Sequence, residues 1–173
     1  MYVETPRIII RGFIPEDAAD LHEILGDAEV MENCEPAYNF EKTQSFLSSF
    51  CIARKGAVAA VHRESGKVIG YILFNELIEG VCEMGWFFNR NFWRQGYALE
   101  TCRAVIDYAF RERKVHKIFA ETIDTVKSAS LAEKLGMRLE GIQRSQTKDN
   151  RGRWADMYLY GLLEEDWRGR GTI

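Results

Sequence analysis

Two features of the sequence place reactive or ligand-binding residue types at useful spacing. The first is Asn91-Phe92-Trp93-Arg94-Gln95-Gly96-Tyr97-Ala98, which leads into the amphipathic run 99–110 and follows an alternating, strand-like segment from Val81 to Phe88. Strand, short glycine-containing loop and helix together make an anion grip. The first amides of a helix have no partner inside it, and the helix dipole favours negative charge at that end. Gly96 lets a ligand approach the backbone without meeting a Cβ, and Ala98 leaves the next position nearly as open. Phosphate is the anion that such a loop suits. The second feature is Glu83, inside the strand and between Cys82 and Met84. A carboxylate among apolar neighbours has its pKa raised by loss of water, which suits proton transfer near neutral pH. Glu83 is the first candidate for a general base.

The elements that must position these residues follow from the pattern. Residues 7–11 read as a strand. Pro15-Glu16-Asp17 starts a helix, with proline in the first turn and acids near the positive end of the dipole. Ala18, Leu21, Ile24 and Leu25 share one face of it, and Gly26 closes it. A loop over 31–39 leads to a second helix, 41–54. Strands follow over 57–63 and 68–75, joined as a hairpin by Glu64-Ser65-Gly66-Lys67, and then over 81–88. After the loop and its helix come a strand (117–124), a short helix (127–135, ended by Gly136) and a closing hairpin of 138–148 and 154–163 turning at Asp149-Asn150-Arg151-Gly152. The order β-α-α-β-β-β-α-β-α-β-β predicts an α+β fold: a mixed central sheet of about seven strands flanked by about four helices. With no long linker, repeat or low-complexity stretch, residues 1–173 read as a single domain, with a frayed tail over 164–173.

Composition narrows the functional classes. The chain has 173 residues, 46% hydrophobic and 28% charged, which suits one soluble domain with a sizeable core. A net charge of −3 argues against nucleic-acid binding through a broad basic surface. No apolar run approaches the ~18 residues of a membrane span, and the first residues lack the basic-then-apolar pattern of a signal peptide. The expected location is cytoplasmic. Cys34, Cys51, Cys82 and Cys102 lack Cys-x-x-Cys spacing and are expected to stay reduced, and His22, His62 and His116 are scattered, so no metal site is expected. A dinucleotide fingerprint is excluded, since positions 94–99 supply one glycine only.

The loop at 93–98 resembles the acetyl-CoA pyrophosphate loop of the GCN5-related N-acetyltransferases (GNAT), whose pattern is Gln/Arg-x-x-Gly-x-Gly/Ala. Trp93 occupies the first position. The closer likeness is to the branch of ribosomal-protein N-terminal acetyltransferases (RimJ/RimL-like) and spermidine acetyltransferases, where Trp-x-x-Gly-Tyr-Ala is familiar. A second landmark is Ser128-Ala129-Ser130-Leu131-Ala132-Glu133-Lys134-Leu135-Gly136-Met137, which looks like the family's Ser…Glu-Lys-Leu-Gly-Phe run. The resemblance spans residue 7 to about 167 and includes the element order. Two positions depart from it. Thr125 stands where the family usually has an Asn that contacts the pantetheine region, and Ala132 stands where many members carry a tyrosine as general acid.

The resemblance implies acetyl transfer from acetyl-CoA to a primary amine, a protein N-terminus or a small-molecule amine, by direct attack in a ternary complex and without a metal. It places the diphosphate on Trp93, Arg94, Gln95, Gly96, Tyr97 and Ala98, and the pantetheine arm along the backbone of Trp86, Phe87 and Phe88, with Thr125 and Ser128 beside it. Ser128 would lie near the cofactor sulfur, as a second catalytic candidate beside Glu83. The acceptor would be bordered by the loop after the first helix and by the last hairpin, where Glu35 and Asp156 could bind an ammonium group. No nucleic-acid or membrane partner is implied, and a homodimer is left open. The absent tyrosine motivates an alternative: a non-catalytic CoA-binding partner protein.

Overall fold

Strands form where apolar residues alternate or run continuously, and helices where they recur at 3.6-residue spacing. In the computed structural model, which describes residues 1–168, the order is β1 (Tyr2–Glu4), β2 (Ile8–Gly12), a 3-10 turn (Pro15–Asp17) into α1 (Ala18–Leu25), α2 (Phe40–Phe46), β3 (Ala57–His62), β4 (Val68–Ile78), β5 (Val81–Phe88), α3 (Tyr97–Arg111), β6 (Lys117–Thr122), α4 (Lys127–Lys134), β7 (Arg138–Lys148), β8 (Trp154–Leu163) and α5 (Glu164–Arg168). The strands form one sheet in the order β1-β2-β3-β4-β5-β6-β8-β7. Every neighbouring pair is antiparallel except β5 and β6, which run parallel.

Helices cover both faces of the sheet. On one face, α3 buries Cys102, Val105, Ile106, Ala109 and Phe110 against Ile8, Ile10, Ile72, Met84 and Ile118, and α4 adds Ala129 and Ala132. On the other face, α1 and the segment after α2 bury Leu21, Ile24, Leu25 and Leu47 against Ala59, Val61 and Tyr71. Burying a side chain the size of Ile106 contributes roughly 1.5–3 kcal/mol, so these two layers hold the sheet that carries the site. Among the described residues, Asp17 is the one buried carboxylate, and it is paired: Arg11 donates twice at 2.8 Å and the Ile14 amide donates at 2.9 Å.

Three elements differ from the sequence expectation. The sheet has eight strands, because Tyr2–Glu4 adds an edge strand by pairing with Arg11, Ile10 and Ile9. The helix expected over 41–54 is α-helical only through Phe46 and continues as a wider π-helical stretch, Leu47–Ala53, with the rings of Phe46 and Phe50 stacked 5.2 Å apart. Residues 164–168 are not frayed but form α5. Trp167 lies 6.4 Å from the ring of Phe110, and its indole N–H donates to Asp107 at 3.3 Å, which docks the segment on α3. The rest of the predicted tail lies outside the described residues.

Candidate active site

The site begins where the sheet parts. Strands β5 and β6 pair over only three positions, Val81 with Lys117, Cys82 with Ile118 and Glu83 with Phe119. Beyond Glu83, β5 stays bonded to β4 as far as Phe88, and β6 stays bonded to β8 as far as Thr122. The backbone of 84–88 therefore presents an unpaired strand edge to a widening gap, and such an edge pairs readily with an extended chain. The side chains of this segment alternate. Met84 and Phe88 enter the α3-side core and Trp86 packs against it, whereas Phe87 packs on the opposite face, 5.6 Å from the ring of Tyr71. Whatever occupies the gap meets main chain first.

The gap runs toward the loop at 93–98. Arg94 (φ +60°) and Gly96 (φ +83°) both adopt left-handed backbone, which turns the chain sharply into α3. At Gly96 that conformation is free of the strain a side chain would bring. Gly96 is the N-cap of α3 and supplies no side-chain cap. The amides of Gly96, Tyr97 and Ala98 donate to nothing among the described residues. Three unpaired amides at the positive end of a 15-residue helix fit an anionic diphosphate. The Trp93 indole donates to the Phe88 carbonyl at 2.7 Å, tying the loop to the end of β5.

Glu83 and Glu121 stand at the fork, on the face occupied by α1 and α2. Glu83 pairs in register with Phe119, and Glu121 lies two residues further along β6. Neither carboxylate has a hydrogen-bond partner among the described residues. Partial burial, and then the charge of Glu121, hold the Glu83 carboxyl above its ordinary value. The buried phenol of Tyr71 is pushed up by desolvation, with Cys51, Tyr38, Cys34 and then Glu83 adding to the shift. On the far side of the gap, Asp124 accepts the amides of Val126 and Lys127 at 2.9 Å each and so starts α4. Ser128 follows in that first turn, half-buried, with no hydrogen bond to its hydroxyl among the described residues. Thr125 is exposed. Ala132 is fully buried in the α3-side core.

The rim carries the two remaining candidates. The Glu35 carboxylate accepts the Tyr38 hydroxyl at 2.6 Å and the Lys42 ammonium at 2.8 Å, and Asp156 accepts the Ser145 amide at 2.8 Å across the β7–β8 hairpin. Burial alone would raise the Glu35 carboxyl, but the bonds from Lys42 and Tyr38 hold it below its ordinary value. Arg151, at the tip of that hairpin, reaches Glu32 at 3.8 Å, so the hairpin and the loop after α1 meet across the rim.

Two site residues escaped the sequence reading. Glu121 comes beside Glu83 only through the parallel register of β5 and β6, which no local pattern reveals. Lys127 directly precedes Ser128, yet its role depends on a contact 34 positions back along the chain: its ammonium lies 4.7 Å from the centre of the Trp93 ring, bridging the two walls of the gap. Among the described residues, no group of three or more His, Cys, Asp and Glu side chains is arranged to hold a metal, and no helix is long and apolar enough to cross a membrane.

Known proteins match this arrangement over most of the chain. A family model described as an acetyltransferase (GNAT) domain matches residues 7–138. The uncharacterized N-acetyltransferase YnaD of Bacillus subtilis (strain 168) is 32% identical over 171 residues, covering 96% of this chain and 99% of that protein. A crystal structure of a GNAT-family acetyltransferase from Bacillus anthracis is 30% identical and superposes with a TM-score of 0.86, covering 95% of this chain and 99% of the other. RimL, a ribosomal L7/L12 alpha-N-protein acetyltransferase solved in complex with coenzyme A, shares the fold at 16% identity, with a TM-score of 0.82 over 94% of this chain and 98% of its own. The parted sheet, the uncapped loop and these matches together establish that the chain belongs to the GNAT acetyltransferase family and is an N-acetyltransferase.

Proposed function

We propose that this chain transfers the acetyl group of acetyl-CoA to a primary amine by direct attack in a ternary complex. The observation that carries the reading is the unpaired backbone edge of 84–88 leading to the three free amides at Gly96, Tyr97 and Ala98. The edge suits the amide-rich pantetheine arm, and the amides suit the diphosphate. The amine must be neutral to attack the acetyl carbonyl. As the C–N bond forms, its proton passes to Glu83, directly or through water, and the C–S bond breaks. Glu83 suits that role because its raised carboxyl retains a proton more readily than an exposed one would. In this reading the free hydroxyl of Ser128 hydrogen-bonds the departing thiolate, and Thr125 and Lys127 line the same wall. Glu35 and Asp156 are assigned to the rim that meets the acceptor's ammonium.

A protein N-terminus is the leading acceptor, on the likeness to a ribosomal alpha-N-protein acetyltransferase, and small-molecule amines are the second class. Calorimetry with acetyl-CoA, followed by thiol release with a panel of free-N-terminus peptides and small amines, tests the reading. Binding and amine-dependent thiol release are expected. Absence of acetyl-CoA binding overturns the reading. Binding without release from any amine would favour the non-catalytic alternative, to which the buried Ala132 in place of a tyrosine lends its support.

A further inference from the structure

Behind the loop at 93–98, on the side away from the gap, lies a side chain from a distant part of the chain. Arg7, at the turn between β1 and β2, makes five contacts with the loop and the first turn of α3. One guanidinium nitrogen donates to the Gln95 carbonyl at 2.9 Å. Its Nε donates to Glu100 in the first turn of α3 at 2.7 Å, and its own backbone amide donates to the same carboxylate at 3.1 Å. A second guanidinium nitrogen pairs with Glu100 at 2.6 Å. The guanidinium also lies 4.4 Å from the centre of the Tyr97 ring. The ring is steadied in turn by its hydroxyl, 3.1 Å from Nε2 of His62.

The contact with Gln95 has a geometric consequence. A peptide unit is planar, and in the trans form its C=O and N–H point in opposite directions. Trans peptides hold throughout the described chain. The peptide that carries the Gln95 carbonyl also carries the Gly96 N–H. Holding the carbonyl at the back of the loop therefore aims that amide at the front, where the diphosphate is expected. A glycine peptide is otherwise the freest in the loop to rotate. The contact with Glu100 has an electrostatic consequence as well. An uncompensated carboxylate in the first turn would oppose a second anion at the same helix end. Burial alone would raise the Glu100 carboxyl, but the bonds from Thr5 and Arg7 hold it below its ordinary value, ionised and neutralised by Arg7.

We infer that Arg7 is a positioning residue for the donor substrate: by gripping the Gln95 carbonyl and cancelling Glu100, it holds the Gly96 amide toward the diphosphate of acetyl-CoA. The inference rests on the proposed acetyl-CoA site. The test compares two donors, acetyl-CoA and S-acetylpantetheine, which carries the thioester arm without diphosphate. For Arg7→Met, KM and Kd for acetyl-CoA rise about tenfold, as loss of one oriented bond to a charged group predicts, while kcat changes little. The ratio of kcat/KM between the two donors falls by the same factor. Arg7→Lys recovers part of the loss, since one ammonium cannot serve Gln95 and Glu100 as the planar fork does. Arg7→Met/Glu100→Gln removes the uncompensated carboxylate, and the loss that remains measures the carbonyl grip. Equal losses for both donors would overturn the inference, because a merely structural role weakens them alike. Full restoration in the double variant would also overturn the carbonyl grip. If Arg7→Met does not fold, the donor ratio of Arg7→Lys decides by the same criterion. Wild-type protein that fails to bind acetyl-CoA would sink the underlying site, whereas wild type that binds and an Arg7→Met that binds equally well would sink this inference alone.

Discussion

The donor end and the acceptor end of the site are built by different means. At the donor end, the loop at 93–98 is tied from several directions by short contacts: Trp93 to the Phe88 carbonyl at 2.7 Å, Arg7 to the Gln95 carbonyl at 2.9 Å and Tyr97 to His62 at 3.1 Å. At the acceptor end, the loop after α1 and the tip of the β7–β8 hairpin meet through the exposed pair Arg151–Glu32 at 3.8 Å. An exposed pair of that length is worth about 0–1 kcal/mol. The difference suits the two ligands proposed. In the proposed complex the donor is one constant molecule held largely by main chain, and it must be aimed accurately. In that complex the acceptor meets side chains at the rim, Glu35 on the loop after α1 and Asp156 near the start of β8, where substitutions cost the fold little.

The comparison can be broken most severely at Gly96. Gly96→Val places a β-branched residue at φ +83° and sets its Cβ 3.4 Å from the Arg7 guanidinium. Strain of up to ~3 kcal/mol at such a position predicts a fall in acetyl-CoA affinity on the order of a hundredfold, read by calorimetry, with far smaller effects on amine binding. Next comes Glu83→Gln, where loss of the proposed base lowers the rate of acetyl transfer about 10²-fold or more. The same variant has an opposite effect on stability. The folded state raises the Glu83 carboxyl above 4.5, so folding favours its protonated form. That preference is full below the unfolded value and is lost as pH rises through the folded value. At neutral pH the ionised group is therefore a liability, and Glu83→Gln raises Tm; the difference narrows as the pH is lowered toward 4.5. Thermal melts at several pH values check this, and a lowered Tm at pH 7 would contradict it. The smallest effect belongs to Arg151→Ala. Stability changes by less than about 0.5 kcal/mol and the acceptor KM stays within about twofold, as chemical denaturation and steady-state rates would show. A large change there would mean that the rim is as tightly constructed as the donor end.

Legibility in the sequence divides along the same line. β5, β7 and β8 have the bounds their alternation predicts, and the glycine loop lies between strand and helix as read, because each signal sits within a dozen residues. The additional strand β1 is only three residues long, too short to show a period, and forms because β2 offers an edge. From sequence alone α5 reads as part of a frayed tail, since the contacts that dock Trp167 are on α3, some 60 residues earlier. Glu121, Lys127 and Arg7 carry no local signal for the same reason: the partners that give them meaning, Glu83, Trp93 and Gln95, are brought near by sheet register and by packing of distant segments. Local physics is written into neighbouring residues, whereas long-range pairing is settled by the whole fold.

The three-position contact between β5 and β6 has one more consequence. It divides the sheet into a half of five strands, β1 to β5, and a half of three, β6 to β8. The proposed donor, stretched along the seam, would hydrogen-bond the open edge of β5 and link the halves beyond those three positions. In the proposed complex, escape of the spent donor would then be coupled to spreading of the two half-sheets.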